Sequence, residues 1–218
     1  MKYDFKQNII ILGETNVGKT TLIYNYLYTN LDSRDNITTI GIDYYKKVLH
    51  DNNNSYLLNI YDTGNGLLYK NILEFYLRKS NIFIIVLKDK TYKFVKEVFE
   101  FINTDTKIKP KHIFIVYNKL IDNCNFTFNE NEIIKYNTTY AKLHFSYINI
   151  LSKYDVNMFF NYVSQYIYKI NNNNNNSIEI NKSNNIYKKK LKKLMPLNKD
   201  NESIGSKSYS CNCCCIIS

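Results

Sequence analysis

One short segment, residues 13–20, constrains this chain more than any other part of its sequence. The segment reads Gly-Glu-Thr-Asn-Val-Gly-Lys-Thr and fits the phosphate-loop pattern G-x-x-x-x-G-K-[ST] at every fixed position. An apolar run at residues 8–12 precedes it, and a segment with helical spacing at residues 19–30 follows. In such an arrangement successive main-chain N–H groups point at one anion, and the helix dipole strengthens their field. The segment therefore predicts a polyphosphate site at the end of the first strand.

Two side chains of this loop have predicted roles in binding a nucleotide. Lys19 would neutralise the β and γ phosphates, and the Thr20 hydroxyl would hold Mg²⁺. A chance match on an ordinary loop is the alternative, but the strand before the motif and the helix after it favour nucleotide binding. Further nucleotide contacts are predicted for Gly13, Glu14, Thr15, Asn16, Val17, Gly18 and Thr21.

Residues 1–170 alternate apolar runs with amphipathic segments. Strands are predicted at residues 8–12, 43–49, 56–61, 82–87 and 112–117. Helices are predicted at residues 19–30, 94–102, 129–140 and 156–170. This alternation indicates an α/β fold: a mostly parallel sheet of about six strands with helices on both faces. In such sheets the ligand lies beyond the carboxyl ends of the strands, and the loop at residues 13–20 follows the first of them.

The composition separates a tail, residues 171–218, from the globular domain. The tail opens with an Asn run and carries eight lysines against Glu179, Asp200 and Glu202, so we expect it to be disordered. The whole chain has a net charge of +10, which suits an anionic partner such as a nucleotide, a nucleic acid or an acidic membrane surface.

The cysteines and the apolar runs bear on compartment and membrane contact. Four of the five cysteines lie in the last eight residues, which is not a disulfide framework, so we expect a reducing compartment. No run resembles a signal peptide, and no stretch reaches about 18 consecutive apolar residues. Membrane contact is therefore expected only through a lipid or through charge.

Several motifs beyond the loop resemble the Rab family of small GTPases, over about residues 5–170. Residues 38–44, Thr-Thr-Ile-Gly-Ile-Asp-Tyr, resemble the first-switch motif TIGVDF, and residues 61–63, Tyr-Asp-Thr, resemble the WDT that opens the second switch. Residues 76–78 fall on the YYR of the family, and residues 84–91 followed by Phe94 resemble LVYDVTxxxSF. The resemblance implies a P-loop NTPase small G-domain that binds GTP or GDP with Mg²⁺.

The resemblance also assigns residues to the two switches. Thr39 matches the threonine that closes on Mg²⁺ and the γ phosphate, and Asp62 matches the acid that holds Mg²⁺ through water. An effector-binding surface is implied at Ile40, Gly41, Ile42, Asp43, Tyr44, Tyr61 and Tyr76, where the three tyrosines match an aromatic triad of the family. The alternative for the tyrosines is ordinary core packing in a Tyr-rich protein.

The second switch departs from the family pattern at its catalytic positions. The family reads DTAGQ, whereas residues 62–66 read Asp-Thr-Gly-Asn-Gly. Asn65 replaces the glycine whose N–H senses the γ phosphate, and Gly66 replaces the glutamine that orients the attacking water. No catalytic residue is therefore assigned, and we expect GTP hydrolysis to be slow.

The guanine-binding motif also departs from the family pattern. NKxD becomes Asn118-Lys119-Leu-Ile-Asp122, with the acid one place late, and the SAK loop is reduced to residues 146–148, Ser-Tyr-Ile. Contacts with the base are predicted for Asn118, Lys119, Asp122, Ser146 and Tyr147. The choice between guanine and adenine stays open, because a displaced acid makes guanine selectivity weak unless the loop bulges.

The last four residues, Cys215-Ile-Ile-Ser, fit the prenylation box C-a-a-X. The terminal serine suggests farnesyl, and the choice between farnesyl and geranylgeranyl stays open because the motif does not settle which transferase acts. Cys211, Cys213 and Cys214 are candidates for a second prenyl group or for palmitoyl chains. The lysine run at residues 188–193 would supply attraction to anionic lipid. A metal-binding cysteine cluster and a nuclear-import or RNA-binding lysine run are the alternatives. The first lacks a second Cys/His pair at ligand spacing.

These features favour a lipid-anchored nucleotide switch on the cytoplasmic face of intracellular membranes, acting in vesicle traffic and not on nucleic acid. An exchange factor, an activating protein, an effector and a prenyl-binding carrier are implied by the resemblance. A membrane-tethered scaffold with a vestigial site, binding nucleotide permanently or hardly at all, is the second hypothesis. A P-loop kinase or ATPase is a third, disfavoured because we find no second substrate domain or lid.

Overall fold

A computed structural model describes residues 3–28, 39–50, 54–64, 70–88, 92–119, 129–137 and 141–172. All of them belong to a compact unit that spans Met1–Asn175. The strands are β1 (Phe5–Leu12), β2 (Ile42–His50), β3 (Ser55–Thr63), β4 (Ile82–Leu87), β5 (His112–Asn118) and β6 (Lys142–Ile148). The helices are α1 (Lys19–Leu27), α2 (Lys70–Lys79), α3 (Lys93–Thr104), α4 (Glu130–Ile134) and α5 (Lys153–Asn172).

The strands form one six-stranded sheet in the order β2-β3-β1-β4-β5-β6. Only β2 runs antiparallel to its neighbour, and the other neighbouring strands are parallel. Strand β1 lies between β3 and β4. The strands that follow β1 in the chain are added first on the β3 side and then, from β4 onward, on the other side, so the strand order reverses at β1. A crevice at the carboxyl end of β1 is where such sheets bind ligands. The predicted α/β class with a mostly parallel sheet is confirmed.

Alternate side chains of β1 enter two separate cores. Ile9 and Ile11 belong to the core that α1 and α5 cover, whereas Ile10 and Leu12 belong to the core under α2, α3 and α4. The central strands β4 and β5 are buried along their whole length. Burial on both faces explains why these two strands have continuous apolar sequences, which made them easy to predict.

Three elements differ from the prediction. The helix expected at residues 129–140 ends at Ile134, because the chain turns back and enters the sheet again at Lys142. Helix α2 and strand β6 were not predicted. Strand β6 is the outermost strand beyond β5, and its side chains are mostly half-buried, so it lacks the continuous apolar run of a central strand.

Two expectations concern the end of the chain. Helix α5 continues to Asn172, and the rest of the tail lies outside the described residues, so the domain boundary at residue 170 and the tail's disorder stay predictions. No helix in the described part of the chain is both long enough and apolar enough to cross a lipid bilayer.

Candidate nucleotide-binding site

Both glycines of the loop between β1 and α1 occupy places where a larger side chain does not fit. Gly18 has a φ of 98°, and a Cβ atom there would lie 2.1 Å from the Cδ1 atom of Ile150. A Cβ atom on Gly13 would lie 2.6 Å from the Val86 carbonyl oxygen. Asn16 also has a positive φ, 58°, which asparagine tolerates better than most residues. The glycine spacing of the motif therefore reflects local backbone geometry and close packing.

The main-chain amides of this loop are available to an anion. Helix α1 begins at Lys19, and the Leu22 amide donates to the Gly18 carbonyl at 2.9 Å. The first N–H groups of α1 have no preceding helical turn to which they could donate. Free N–H groups at the positive end of a helix are a ready site for phosphate.

The Lys19 ammonium is held across the loop. Its Nζ atom donates to the carbonyl oxygens of Gly13 at 3.0 Å and Glu14 at 2.7 Å, and the side chain is buried. Burial lowers the pKa of Lys19 to about 8, although the negative charges of Asp62 and Glu14 raise it in part. A cation that is poorly hydrated and held by neutral carbonyls would gain strongly from a phosphate oxygen.

Three oxygen-bearing side chains meet beside the loop. Thr20 Oγ1 donates to Asp62 Oδ2 at 2.5 Å, and the hydroxyl oxygens of Thr20 and Thr39 lie 3.1 Å apart. The second carboxylate oxygen of Asp62, Oδ1, is buried and accepts no hydrogen bond from a described residue. Burial raises the pKa of Asp62 to about 6, against the opposing effects of Thr20 and Lys19.

This oxygen cluster (Thr20, Thr39 and Asp62) matches the ligand preference of Mg²⁺. Hard divalent cations prefer carboxylate and hydroxyl oxygens, and Mg²⁺ is commonly held by one or two protein groups together with phosphate oxygens. The unpaired, buried Oδ1 atom of Asp62 is the kind of acceptor that a cation or its water would satisfy. The residues present therefore fit the ion.

The segments before β2 and after β3 contact each other directly. The Gly64 amide donates to the Gly41 carbonyl at 2.9 Å, and a Cβ atom on Gly64 would lie 2.2 Å from the Thr39 carbonyl oxygen. Glycine at position 64 therefore allows the segment that holds Asp62 to approach the segment that holds Thr39. Asn65 and Gly66 lie outside the described residues, so the expectation of slow hydrolysis stays a prediction.

Asn118, at the end of β5, contacts the phosphate-binding loop through a hydrogen bond. The side chain is buried, and its Nδ2 atom donates to the Val17 carbonyl at 3.1 Å. The Lys119 amide donates to the Ile148 carbonyl at 2.9 Å, which joins the ends of β5 and β6. Asp122 lies outside the described residues, so its predicted contact with the base stays a prediction.

The last predicted base-contacting segment lies at the end of strand β6. Ser146 and Tyr147 lie inside β6, where they pair in register with Val116 and Tyr117. The loop that leaves β6 beside Asn118 is instead residues 149–152. Strand β6 ends at Ile148, opposite Asn118, so the predicted contacts of Ser146 and Tyr147 with the base stay predictions.

The loop at residues 149–152 has well-defined hydrogen bonds. Asn149 Oδ1 accepts from the Leu151 amide at 2.9 Å, and the Asn149 amide donates to Asp155 Oδ2 at 3.1 Å. The Asp155 amide donates to Ser152 Oγ at 3.2 Å at the start of α5. The sequence carries a signal for this turn, because Ser152 and Asp155 have the S-x-x-[DE] spacing of a capping box.

The three tyrosines of the predicted effector surface form one row. Tyr44 stacks on Tyr61 with ring centroids 5.5 Å apart, and Tyr61 contacts Tyr76 at 4.7 Å. Tyr44 is 48% exposed, whereas the other two are half-buried and pack partly against the core under α2. The alternative of core packing thus fits Tyr61 and Tyr76 only in part. Ile40, which precedes β2, is 83% exposed.

The lipidation candidates, Cys211, Cys213, Cys214 and Cys215, lie outside the described residues, as does the lysine run at residues 188–193.

A model of a known family matches this chain. The model of the family described as "Ras of Complex, Roc, domain of DAPkinase" matches residues 8–122, which is more than half of the chain. The matched range begins in β1 and contains the phosphate-binding loop, the oxygen cluster and Asn118.

Proposed function

Because the chain belongs to the Roc family and is therefore a Ras-like small GTPase that binds guanine nucleotide, we propose that it works as a Rab-like, membrane-anchored switch in vesicle traffic. Small GTPases of this kind act with regulators and effectors, and the exchange factor, activating protein, effector and prenyl-binding carrier belong to the proposal. The proposal further holds that Mg²⁺ accompanies the nucleotide and that the bound state controls the surface around Tyr44.

The single observation that carries the proposal is the oxygen cluster. Thr20 comes from the helix after the phosphate-binding loop, Thr39 from the segment before β2, and Asp62 from the end of β3. These are the three places that a switch must connect to the γ phosphate. When bound, Mg²⁺ would neutralise phosphate charge at this cluster.

The residues of the chain have separate tasks in this cycle. The loop amides and Lys19 bind the phosphates, and Asn118 keeps the loop in place. Thr39 would turn toward the γ-phosphate side of the site in the GTP state and away from it in the GDP state. Since the segments around Gly41 and Gly64 are hydrogen-bonded to each other, this movement would reach both β2 and the chain after β3.

Hydrolysis is expected to be slow in this proposal. Gly66 has no side chain that could orient the attacking water, and phosphoryl transfer depends on that positioning. Single-turnover hydrolysis by purified protein loaded with labelled GTP tests this point. A rate typical of small GTPases with the glutamine in place would refute it.

The membrane part of the proposal is supported by the sequence of the tail. The C-a-a-X box at Cys215 would carry one lipid, which alone anchors weakly, and the lysine run at residues 188–193 would add about 1 kcal/mol per basic residue near an anionic surface. The aromatic row of Tyr44, Tyr61 and Tyr76 supports the Rab-like effector surface. We propose the cytoplasmic face of endomembranes as the location.

A scaffold with a vestigial site is the second candidate. The observation that favours it is that the Lys19 and Thr20 side chains already have hydrogen-bond partners within the protein and do not need nucleotide to satisfy them. The nucleotide content of the full chain as purified, read by chromatography, and titration with fluorescent GDP and GTP analogues separate the two. Tight binding that depends on Mg²⁺ and on the γ phosphate supports the switch, and affinity weaker than about 1 mM, a binding free energy of only about −4 kcal/mol, supports the scaffold.

A further inference from the structure

Lys88 lies just beyond the carboxyl end of β4, beside the phosphate-binding loop. Strand β4 pairs in parallel with β1, where Ile85 is opposite Leu12, and it ends one residue before Lys88. The loop leaves β1 next to this point, and a Cβ atom on Gly13 would lie 2.6 Å from the Val86 carbonyl oxygen. The chain therefore has a lysine where the loop packs against the end of β4.

The Lys88 side chain is half-buried, and its charge has no counterpart in the described part of the chain. It makes no hydrogen bond or ion pair with a described residue. An ammonium group that is partly withdrawn from water, and that has no acidic partner, loses hydration without a compensating interaction. The charge of Lys88 is thus available to an anionic ligand.

The charge of Lys88 acts on the lysine of the phosphate-binding loop. Burial is the largest cause of the lowered pKa of Lys19, about 8, and the positive charge of Lys88 lowers it further. The negative charges of Asp62 and Glu14 oppose this shift. Two ammonium groups near each other repel, and an anion between them replaces this repulsion by attraction. Lys19 and Lys88 together therefore suit a ligand with several negative charges.

From these observations we propose that Lys88 is a second phosphate-binding cation, which contacts the polyphosphate chain of the nucleotide from the side of β4. Lys19 contacts the same chain from within the loop. The flexible four-carbon stem of Lys88 lets its ammonium group move to a phosphate oxygen when the nucleotide binds. This inference rests on the proposed function, because it adds a residue to the phosphate site of the switch.

Two other roles for Lys88 make different predictions. A lysine that only keeps the end of β4 in contact with water would leave the phosphate affinity unchanged when its charge is removed. A lysine that supports the fold would lower the stability of the nucleotide-free protein when it is replaced. A phosphate-binding lysine gives neither result, because removing its charge weakens phosphate binding and relieves the repulsion with Lys19.

The test uses the full chain, freed of nucleotide, and isothermal titration calorimetry in the presence of Mg²⁺. The ligands are a non-hydrolysable GTP analogue, GDP and inorganic tripolyphosphate, which has neither ribose nor base. Lys88→Gln removes the charge, and Lys88→Arg keeps it. Lys109→Gln is the matched control, because it removes the same charge from an exposed position before β5, at the opposite end of the sheet.

We expect Lys88→Gln to weaken the binding of the GTP analogue and of tripolyphosphate about tenfold, and the binding of GDP by no more than that. Lys88→Arg should keep the affinity within about threefold of the wild type, and Lys109→Gln within about twofold. The loss in Lys88→Gln should shrink at high salt, because salt screens a partly exposed charge. The melting temperature of this variant without nucleotide should equal or exceed that of the wild type.

Each contrary result overturns a stated part of the proposal. Unchanged affinity of Lys88→Gln for tripolyphosphate, in protein that binds nucleotide normally, overturns the role of Lys88 and leaves the switch intact. A loss for the GTP analogue without a loss for tripolyphosphate also overturns it, since the effect then lies outside the phosphates.

Two further outcomes separate Lys88 from its alternatives and from the switch. A lower melting temperature of nucleotide-free Lys88→Gln overturns the phosphate contact in favour of a structural role. Binding of tripolyphosphate that depends on Lys88, in a wild type that binds neither nucleotide, supports the phosphate contact and overturns the switch. A wild type that binds none of the three ligands overturns both.

Discussion

The hydroxyl oxygens of Thr20 and Thr39 lie 3.1 Å apart, and the Thr20 hydroxyl also donates to Asp62 at 2.5 Å. Thr20 lies in the first turn of α1, next to the lysine of the phosphate-binding loop. Thr39 lies just before the edge strand β2. The contact therefore connects the element that would bind phosphate to the element that carries the predicted effector surface.

Removing the Thr39 hydroxyl should weaken the binding of GTP more than the binding of GDP. Thr39→Ala is expected to weaken binding of a GTP analogue in Mg²⁺ about tenfold, because one ligand or hydrogen bond is worth about 1–2 kcal/mol, while GDP affinity changes less than about threefold. Titration of fluorescent analogues measures both. Thr104→Ala, which removes a threonine hydroxyl at the end of α3, serves as the control. Equal losses for GDP and GTP would show that Thr39 does not respond to the γ phosphate.

Replacing Lys19 should abolish nucleotide binding without unfolding the protein. Lys19→Met keeps most of the side-chain volume and removes a buried cation, so nucleotide affinity should fall roughly 100-fold or more. The melting temperature of the nucleotide-free protein should not fall, because the buried ammonium is poorly solvated there. Differential scanning fluorimetry with and without GDP measures both effects. Full retention of GDP-induced stabilisation would contradict the proposed phosphate site.

Asp62 should make the stability of the metal- and nucleotide-free protein depend on pH. Burial raises its pKa from 3.8 to about 6, so its contribution to stability is fully present below about pH 4 and is lost as pH rises through 6. The loss amounts to about 3 kcal/mol. Asp62→Asn retains an acceptor for Thr20 and should remove this dependence. Urea unfolding from pH 4 to 8 gives the difference between the two proteins, and parallel profiles would contradict the prediction.

A methyl group on Gly18 should disrupt the loop through a specific clash. Gly18→Ala places a Cβ atom 2.1 Å from Ile150 Cδ1 at a φ of 98°, and we expect a loss of about 3 kcal/mol in unfolding free energy. Gly41→Ala is the matched control, because its φ of 82° is equally unfavourable, but apart from its chain neighbours no atom of a described residue lies within 4 Å of the added Cβ atom. It should cost about 1–2 kcal/mol.

The same pair of residues allows a rescue. Ile150→Val removes the clashing Cδ1 atom, so the Gly18→Ala/Ile150→Val double variant should recover part of the stability that Gly18→Ala loses. Equal stability losses in the Gly18 and Gly41 variants, or no recovery in the double variant, would show that the clash is not the cause.

The tail should control membrane attachment. Prenylated protein is expected to float with anionic vesicles at low salt, and Cys215→Ser should strongly reduce flotation, because the C-a-a-X acceptor is lost and only the lysine run still attracts the protein to the surface. Replacing the lysines of residues 188–193 by glutamine should reduce binding to anionic vesicles while leaving weak binding to neutral ones. Flotation of the Cys215→Ser variant at wild-type levels would place the anchor elsewhere.

Much of this protein follows from its sequence alone. The phosphate-binding loop was predictable because close packing at positions 13 and 18 excludes any residue larger than glycine. Lys19 and Thr20 then follow these glycines at a fixed spacing. Strands β4 and β5 were predictable because burial on both faces leaves a continuous apolar run. The α/β class followed from the alternation of such runs with amphipathic segments.

Only the tertiary structure decided which distant residues meet. The family resemblance had assigned Thr20, Thr39 and Asp62 to one Mg²⁺ site, but the structure gave their contacts, and it ended strand β6 at Ile148, opposite Asn118. It also brought Lys88, which follows β4, close enough to Lys19 for the two charges to interact. Spacing along a chain reports contacts within a few residues. Register and strand order instead arise from packing between segments far apart in sequence, and no local pattern encodes them.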